Sequence, residues 1–118
     1  MFTEKDRAKC EELCEKYYRG RKFSRTLYAE LIRTHIRPGG RLLDAGCGRY
    51  LEFSRELTGV EVVGIDLESQ LDTRNRQSPF AIRGDLDRLP FPDGSFDTVI
   101  SRSVVEHLEH PDLVFAEF

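Results

Sequence analysis

Apolar and polar positions along the chain fall into two textures that meet near residue 40. In the first, apolar residues recur at helical spacing. Thr3 with Asp6 three residues on has the form of a capping box, and Leu13, Cys14, Tyr17 and Tyr18 then share one stripe until Gly20 breaks it. Ser24 can cap a second helix with the apolar face Leu27, Tyr28, Leu31, Ile32, His35 and Ile36, closed by Pro38-Gly39-Gly40. Residues 1–40 therefore read as a helical preamble.

From Arg41 onward, short runs rich in branched residues alternate with helix-like segments, the pattern of a parallel sheet with crossover helices. Strands are expected at residues 41–45, 61–66, 80–83 and 97–101. A helix with Leu51, Phe53, Ser54 and Leu57 should join the first two and stop at Gly59, and residues 68–76 offer a short polar helix before the third. Pro90 to Asp97 reads as a turn feeding the last strand, with Phe91 and Phe96 in the core. Val104, Val105 and Leu108 follow that strand, and Pro111 opens a further helix. Residues 41–118 make the second domain, of α/β class.

Composition narrows the function classes. The 118 residues are 39% hydrophobic and 33% charged, and 18 basic and 21 acidic residues leave a net charge of -3. With the two signs mixed along the chain, nucleic acid is not an expected partner. Three cysteines without a regular framework suit a reducing, cytoplasmic setting rather than a disulfide scaffold. The start has no signal-peptide pattern, and no stretch approaches the ~18 apolar residues of a membrane span.

The chemistry concentrates in Leu42-Leu43-Asp44-Ala45-Gly46-Cys47-Gly48, a strand running into a glycine turn and a helix. Glycines there let a ligand approach the backbone, and a helix N-terminus offers unpaired N–H groups. The dinucleotide pattern G-x-G-x-x-G needs a glycine where Leu51 stands, and a carboxylate at Asp44 would repel a diphosphate, so an NAD-dependent oxidoreductase is disfavoured. An acid at Asp44 suits the ammonium end of S-adenosylmethionine. Asp66, about 20 residues beyond the turn, can accept the ribose hydroxyl protons.

Leu42 to Gly48, Val63-Gly64-Ile65-Asp66, Gly84-Asp85-Leu86 and Leu89-Pro90-Phe91-Pro92-Asp93-Gly94-Ser95-Phe96-Asp97 together resemble class I S-adenosylmethionine-dependent methyltransferases, in particular the type 11 small-molecule enzymes of quinone biosynthesis. The resemblance covers residues 41–118. It implies a Rossmann-like α/β fold, with the first four strands of a seven-stranded parallel sheet behind N-terminal helices. It further implies that Asp44, Gly46 and Gly48 line the methionine end and that Asp66 takes the ribose. Asp85 would accept the adenine amino proton, Leu86 would offer its backbone N–H, and Leu67 and Leu86 would cover the adenine faces. Ser101 would border the methionine moiety. Tyr50, where the family often has a third glycine, and the Arg- and Asp-rich stretch of residues 68–77 depart from the family pattern.

The resemblance also implies that the acceptor half is missing, so the chain is expected to be an N-terminal portion whose fourth strand has an open edge. That edge could pair with a second copy or a complementary chain. The activity of the whole fold would be methyl transfer to a small molecule; the alternative is a catalytically inactive cofactor-binding or partner-pairing module. Glu106, His107 and His110 lack a metal-ligand spacing, and His107 is the candidate general base, since a histidine faces the acceptor in some relatives. Cys10 and Cys14 are expected in the core of the first helix, and Arg19, Arg21, Lys22 and Arg25 are read as a solvated face or, as an alternative, an acceptor-binding patch.

Overall fold

The computed structural model describes residues 3–48, 51, 57–68 and 81–118. Two compact units divide it, Met1–Thr34 and His35–Phe118. The division falls before residue 40 because the connecting residues are tied to the sheet unit: Gly39 N–H donates to Gly59 O at 2.7 Å, Glu61 N–H to Gly40 O at 3.0 Å, and Arg37 pairs with Asp97 at 3.7 Å.

The first unit holds α1 (Glu4–Tyr18) and α2 (Ser24–His35) up to Thr34. Thr3 caps α1 as expected: its hydroxyl accepts from Asp6 N–H at 3.2 Å while Asp6 Oδ2 accepts from Thr3 N–H at 2.8 Å. The stripe on α1 is not a core face, however. Leu13, Tyr17 and Tyr18 are exposed, as is Cys10, and Cys14 is half-buried. Period alone marks which residues share a side of a helix; burying that side requires a partner surface. In α2, Ser24 is the first helical residue rather than the cap, since Leu27 N–H donates to Phe23 O at 3.0 Å. Ile32 is buried, Tyr28 and Ile36 are half-buried, and Leu27, Leu31 and His35 are exposed, correcting the expected six-residue face.

The second unit is a four-stranded parallel sheet in the order β3-β2-β1-β4, with β1 at Arg41–Ala45, β2 at Glu61–Asp66, β3 at Ala81–Arg83 and β4 at Thr98–Ile100. The first two strands have the expected bounds. Phe80 lies outside the described residues, as do Phe53, Ser54 and residues 69–76 of the two expected crossover helices. β4 is one residue shorter than expected at each end; at its start Asp97 and Arg41 bond reciprocally, Asp97 N–H donating to Arg41 O at 2.9 Å and Arg41 N–H to Asp97 Oδ2 at 2.8 Å, so a side chain replaces one rung of the ladder.

Side chains alternate across the sheet. Leu43, Ala45, Val63 and Ile65 point to one face, where Leu86 and Val114 complete a buried cluster. Val114 belongs to α3 (Pro111–Glu117), which starts at Pro111 as expected and is anchored by Leu89 N–H donating to Glu117 Oε2 at 2.7 Å. Phe91 and Phe96 pack against this cluster and meet edge to face, 4.9 Å between ring centres. Between β4 and α3 the chain makes only a short 3-10 turn, Val105–His107.

Candidate cofactor site at the carboxyl ends of the strands

The site begins where β1 runs out. Gly46 and Cys47 both donate their N–H groups to Ile65 O, at 2.8 and 3.2 Å, so the first two amides of the glycine turn are spent on β2. Gly48 N–H donates to Asp66 Oδ2 at 2.8 Å, and Glu68 N–H donates to Asp66 Oδ1 at 2.9 Å. One carboxylate thus fixes the turn after β1 and the turn after β2 together. Each of its oxygens accepts one backbone bond and retains capacity for another donor. Gly84 N–H reaches Asp66 O at 3.1 Å, which brings the turn after β3 to the same place.

Two close approaches require glycine. Gly46 has φ +81, and a Cβ there would collide with the side chain of Val104 from the segment after β4. At Gly64 a Cβ would lie 2.5 Å from Leu51 Cδ2 and 2.8 Å from Cys47 Sγ. Leu51 and Cys47 are both buried, and they occupy the space that the absent side chain leaves. Leu51 itself has φ +49, so the position that would be the third glycine of a dinucleotide loop adopts a left-handed backbone while its side chain packs on β2. Val104 and this use of Leu51 have no sequence signal beyond an apolar letter.

Asp44 is 6% exposed, the one buried charged residue among the described residues. Its register neighbours are Gly64 on β2 and Ile100 on β4, so one flank carries no side chain at all. The electrostatics can be read at Cys47. Burial, followed by the negative charges of Asp44 and Asp66, pushes its thiol up to about 12. Both carboxylates therefore lie near the glycine turn.

The other expected residues line up along the same ends of the strands. Asp85 is exposed; a side-chain hydrogen bond with Asp87 holds its carboxyl below the usual range and raises that of Asp87. Leu67 is exposed after β2, whereas the Leu86 side chain is buried in the core cluster. Ser101 follows β4, and its Oγ is buried without a hydrogen-bond partner among the described residues. A buried hydroxyl in that condition is uncommon and marks a place where a polar group is wanted. His107 sits in the 3-10 turn, exposed, with its N–H on Val104 O at 2.8 Å, one residue link from the side chain that covers Gly46. Among the described residues no group of three or more His, Cys, Asp or Glu is arranged to hold a metal ion.

This strand order is that of a Rossmann-like parallel sheet, the architecture of class I methyltransferases. The chain belongs to the family described as methyltransferase domain, type 11, which it matches over residues 43–118. It is 36% identical over 83 residues to malonyl-[acyl-carrier protein] O-methyltransferase of Erwinia pyrifoliae, an overlap of 65% of this chain and 32% of that protein. A solved TehB-like SAM-dependent methyltransferase from Corynebacterium glutamicum superposes with a TM-score of 0.65 at 25% identity, over 96% of this chain and 63% of that one. Phosphoethanolamine N-methyltransferase 2 of Haemonchus contortus, solved in complex with S-adenosyl-L-methionine, gives a TM-score of 0.61 at 24% identity, over 80% of this chain and 24% of that one. The chain spans 32%, 19% and 31% of the lengths of three curated relatives it matches, about a third or less of each.

Proposed function

We propose that the chain holds S-adenosylmethionine along the carboxyl ends of β1 to β4 and that the activity it serves is methyl transfer to a small-molecule acceptor. The observation that carries this reading is the Asp66 carboxylate at the carboxyl end of β2, which accepts from Gly48 N–H at 2.8 Å and so lies against the glycine turn after β1. Carboxylates at Asp44 and Asp66 beside a glycine turn suit a ligand with a sulfonium and an ammonium and would repel the diphosphate of a nicotinamide cofactor. When bound, S-adenosylmethionine supplies an electrophilic methyl group on sulfur.

The protein's own part is binding and orientation. Asp44, with Gly46 and Gly48, would face the methionine end, and the unpartnered Ser101 Oγ would gain a hydrogen bond there. Asp66 would add the ribose hydroxyls to the backbone donors it already accepts. Asp85, held ionised by Asp87, would accept from the adenine amino group, Leu86 would offer its backbone N–H, and the exposed Leu67 would cover the base. His107 would take the acceptor's proton where the acceptor needs a base. Three unpaired cysteines fit a reducing, cytoplasmic setting.

Isothermal titration with S-adenosylmethionine and S-adenosylhomocysteine, with NAD as control, tests the binding. Saturable binding of the first two that is lost in Asp66→Ala is the expected result; binding of NAD alone overturns it. A panel of phenolic and amine acceptors tests turnover. Binding without turnover would favour a second reading, a cofactor-holding module that pairs with another chain. The observation behind it is that, among the described residues, β4 pairs with β1 and has no strand on its other side.

A further inference from the structure

The turn joining α1 and α2 combines two features that the cofactor site does not use. Residues 16–25, Lys-Tyr-Tyr-Arg-Gly-Arg-Lys-Phe-Ser-Arg, contain five basic residues, three aromatic residues and no acid, in a chain whose net charge is -3. The aromatic rings are turned out: Tyr17 is 62% exposed, Tyr18 55% and Phe23 59%. Phe23 continues along α2 into Leu27 and Leu31, one residue per turn on the same side, at 51% and 59% exposure. Large apolar side chains in a row, each more than half exposed, call for a partner surface.

We infer that this turn and the start of α2 dock on an anionic lipid surface. The charge is complementary: five cations within ten residues, with no acid among them, face a negatively charged headgroup layer. Arg19 and Lys22 are paired with Glu15 and Glu30, at 2.6 and 2.7 Å, which moderates the attraction, and Lys16 lies 5.0 Å from the centre of the Tyr17 ring. Tyrosine rings have an apolar body and a polar tip, which suits the boundary between headgroups and acyl chains. The aliphatic stripe decides between lipid and nucleic acid. Bases stack on rings, but Leu27 and Leu31 gain nothing from a base, whereas acyl chains receive them without a shaped pocket. No helix among the described residues is long and apolar enough to cross a membrane, so the contact is with one face of the bilayer. This inference does not depend on the methyl-transfer reading.

Co-sedimentation of the 118-residue protein with vesicles of phosphatidylcholine alone, and of phosphatidylcholine mixed equally with phosphatidylserine, tests it, with poly(U) as a competing polyanion. Binding to the mixed vesicles that falls as NaCl rises is expected. The variant Tyr17→Ser/Tyr18→Ser/Phe23→Ser should bind these vesicles roughly tenfold less tightly or worse. Arg21→Glu, which lies in the turn outside both helices and leaves their backbone bonds alone, should weaken binding in the same direction, and circular dichroism checks the helix content of both variants. Absence of binding to mixed vesicles overturns the inference. So does vesicle binding that survives loss of the rings, and so does a preference for poly(U) over the mixed vesicles.

Discussion

Gly48 N–H and Asp66 Oδ2 are 2.8 Å apart across 18 residues of sequence, and this bond joins the end of β1 to the end of β2 at the point where the cofactor is proposed to lie. The acid proposed to take the ribose is therefore also the clasp of the glycine turn. Asp66→Ala removes the acceptor for both Gly48 and Glu68 N–H groups and should lower stability by about 1–3 kcal/mol. Asp66→Asn retains one carbonyl oxygen and should cost less in stability, while replacing the carboxylate with a neutral amide. Urea denaturation beside titration with S-adenosylhomocysteine separates the two effects. Equal stability of the alanine variant and the wild type would remove the clasp from the argument.

Val104 against Gly46 offers a second test. Gly46→Ala meets both a positive φ and the Val104 side chain, and should destabilise by about 2–3 kcal/mol. Val104→Ala in the same chain relieves the collision and leaves the backbone strain. A double-mutant cycle by urea denaturation should therefore show partial recovery.

Leu51→Ala empties the space above Gly64 and should cost about 2–4 kcal/mol as a buried truncation. Leu51→Gly removes the same side chain but relieves the left-handed backbone at φ +49. Any advantage of the glycine variant over the alanine variant in thermal melting measures that strain.

Cys47 should be inert where Cys10 is accessible. With its thiol raised to about 12 and its side chain buried, Cys47 should resist iodoacetamide at pH 8 until the protein is unfolded, while the exposed Cys10 reacts; peptide mass mapping distinguishes them. The shift has a consequence for stability. The folded state holds the proton more tightly than the unfolded chain does, so this contribution is complete below pH 9.0 and is lost as pH rises from there toward about 12. Cys47→Ala should flatten the alkaline limb of the stability profile over that window.

Much of the sheet and the residues of the candidate site were legible in the order of the residues. Runs of branched residues at 41–45 and 61–66 specify strands by themselves, because a buried parallel strand needs apolar side chains on both faces. Glycines at 46 and 48 and acids at 44 and 66 are chemical choices tied to short spacings, and a short spacing survives folding unchanged. The capping box at Thr3 and Asp6 and the proline start of α3 are likewise local, satisfied within one helical turn.

What the sequence could not determine is which surfaces meet. The stripe on α1 has helical period, yet its rings face outward, because burial is a property of two surfaces and the sequence describes one at a time. The bond from Asp66 to Gly48, the cover that Val104 gives Gly46, and the seat of Leu51 on Gly64 each join residues distant in the chain. Leu86 could be assigned to a ligand by its place in a motif, but the core cluster holds its side chain. Local chemistry was readable because covalent spacing fixes it. Non-local contacts were decided by the pairing of the strands, which sets Asp44 beside Gly64 and brings four strand ends to a single line.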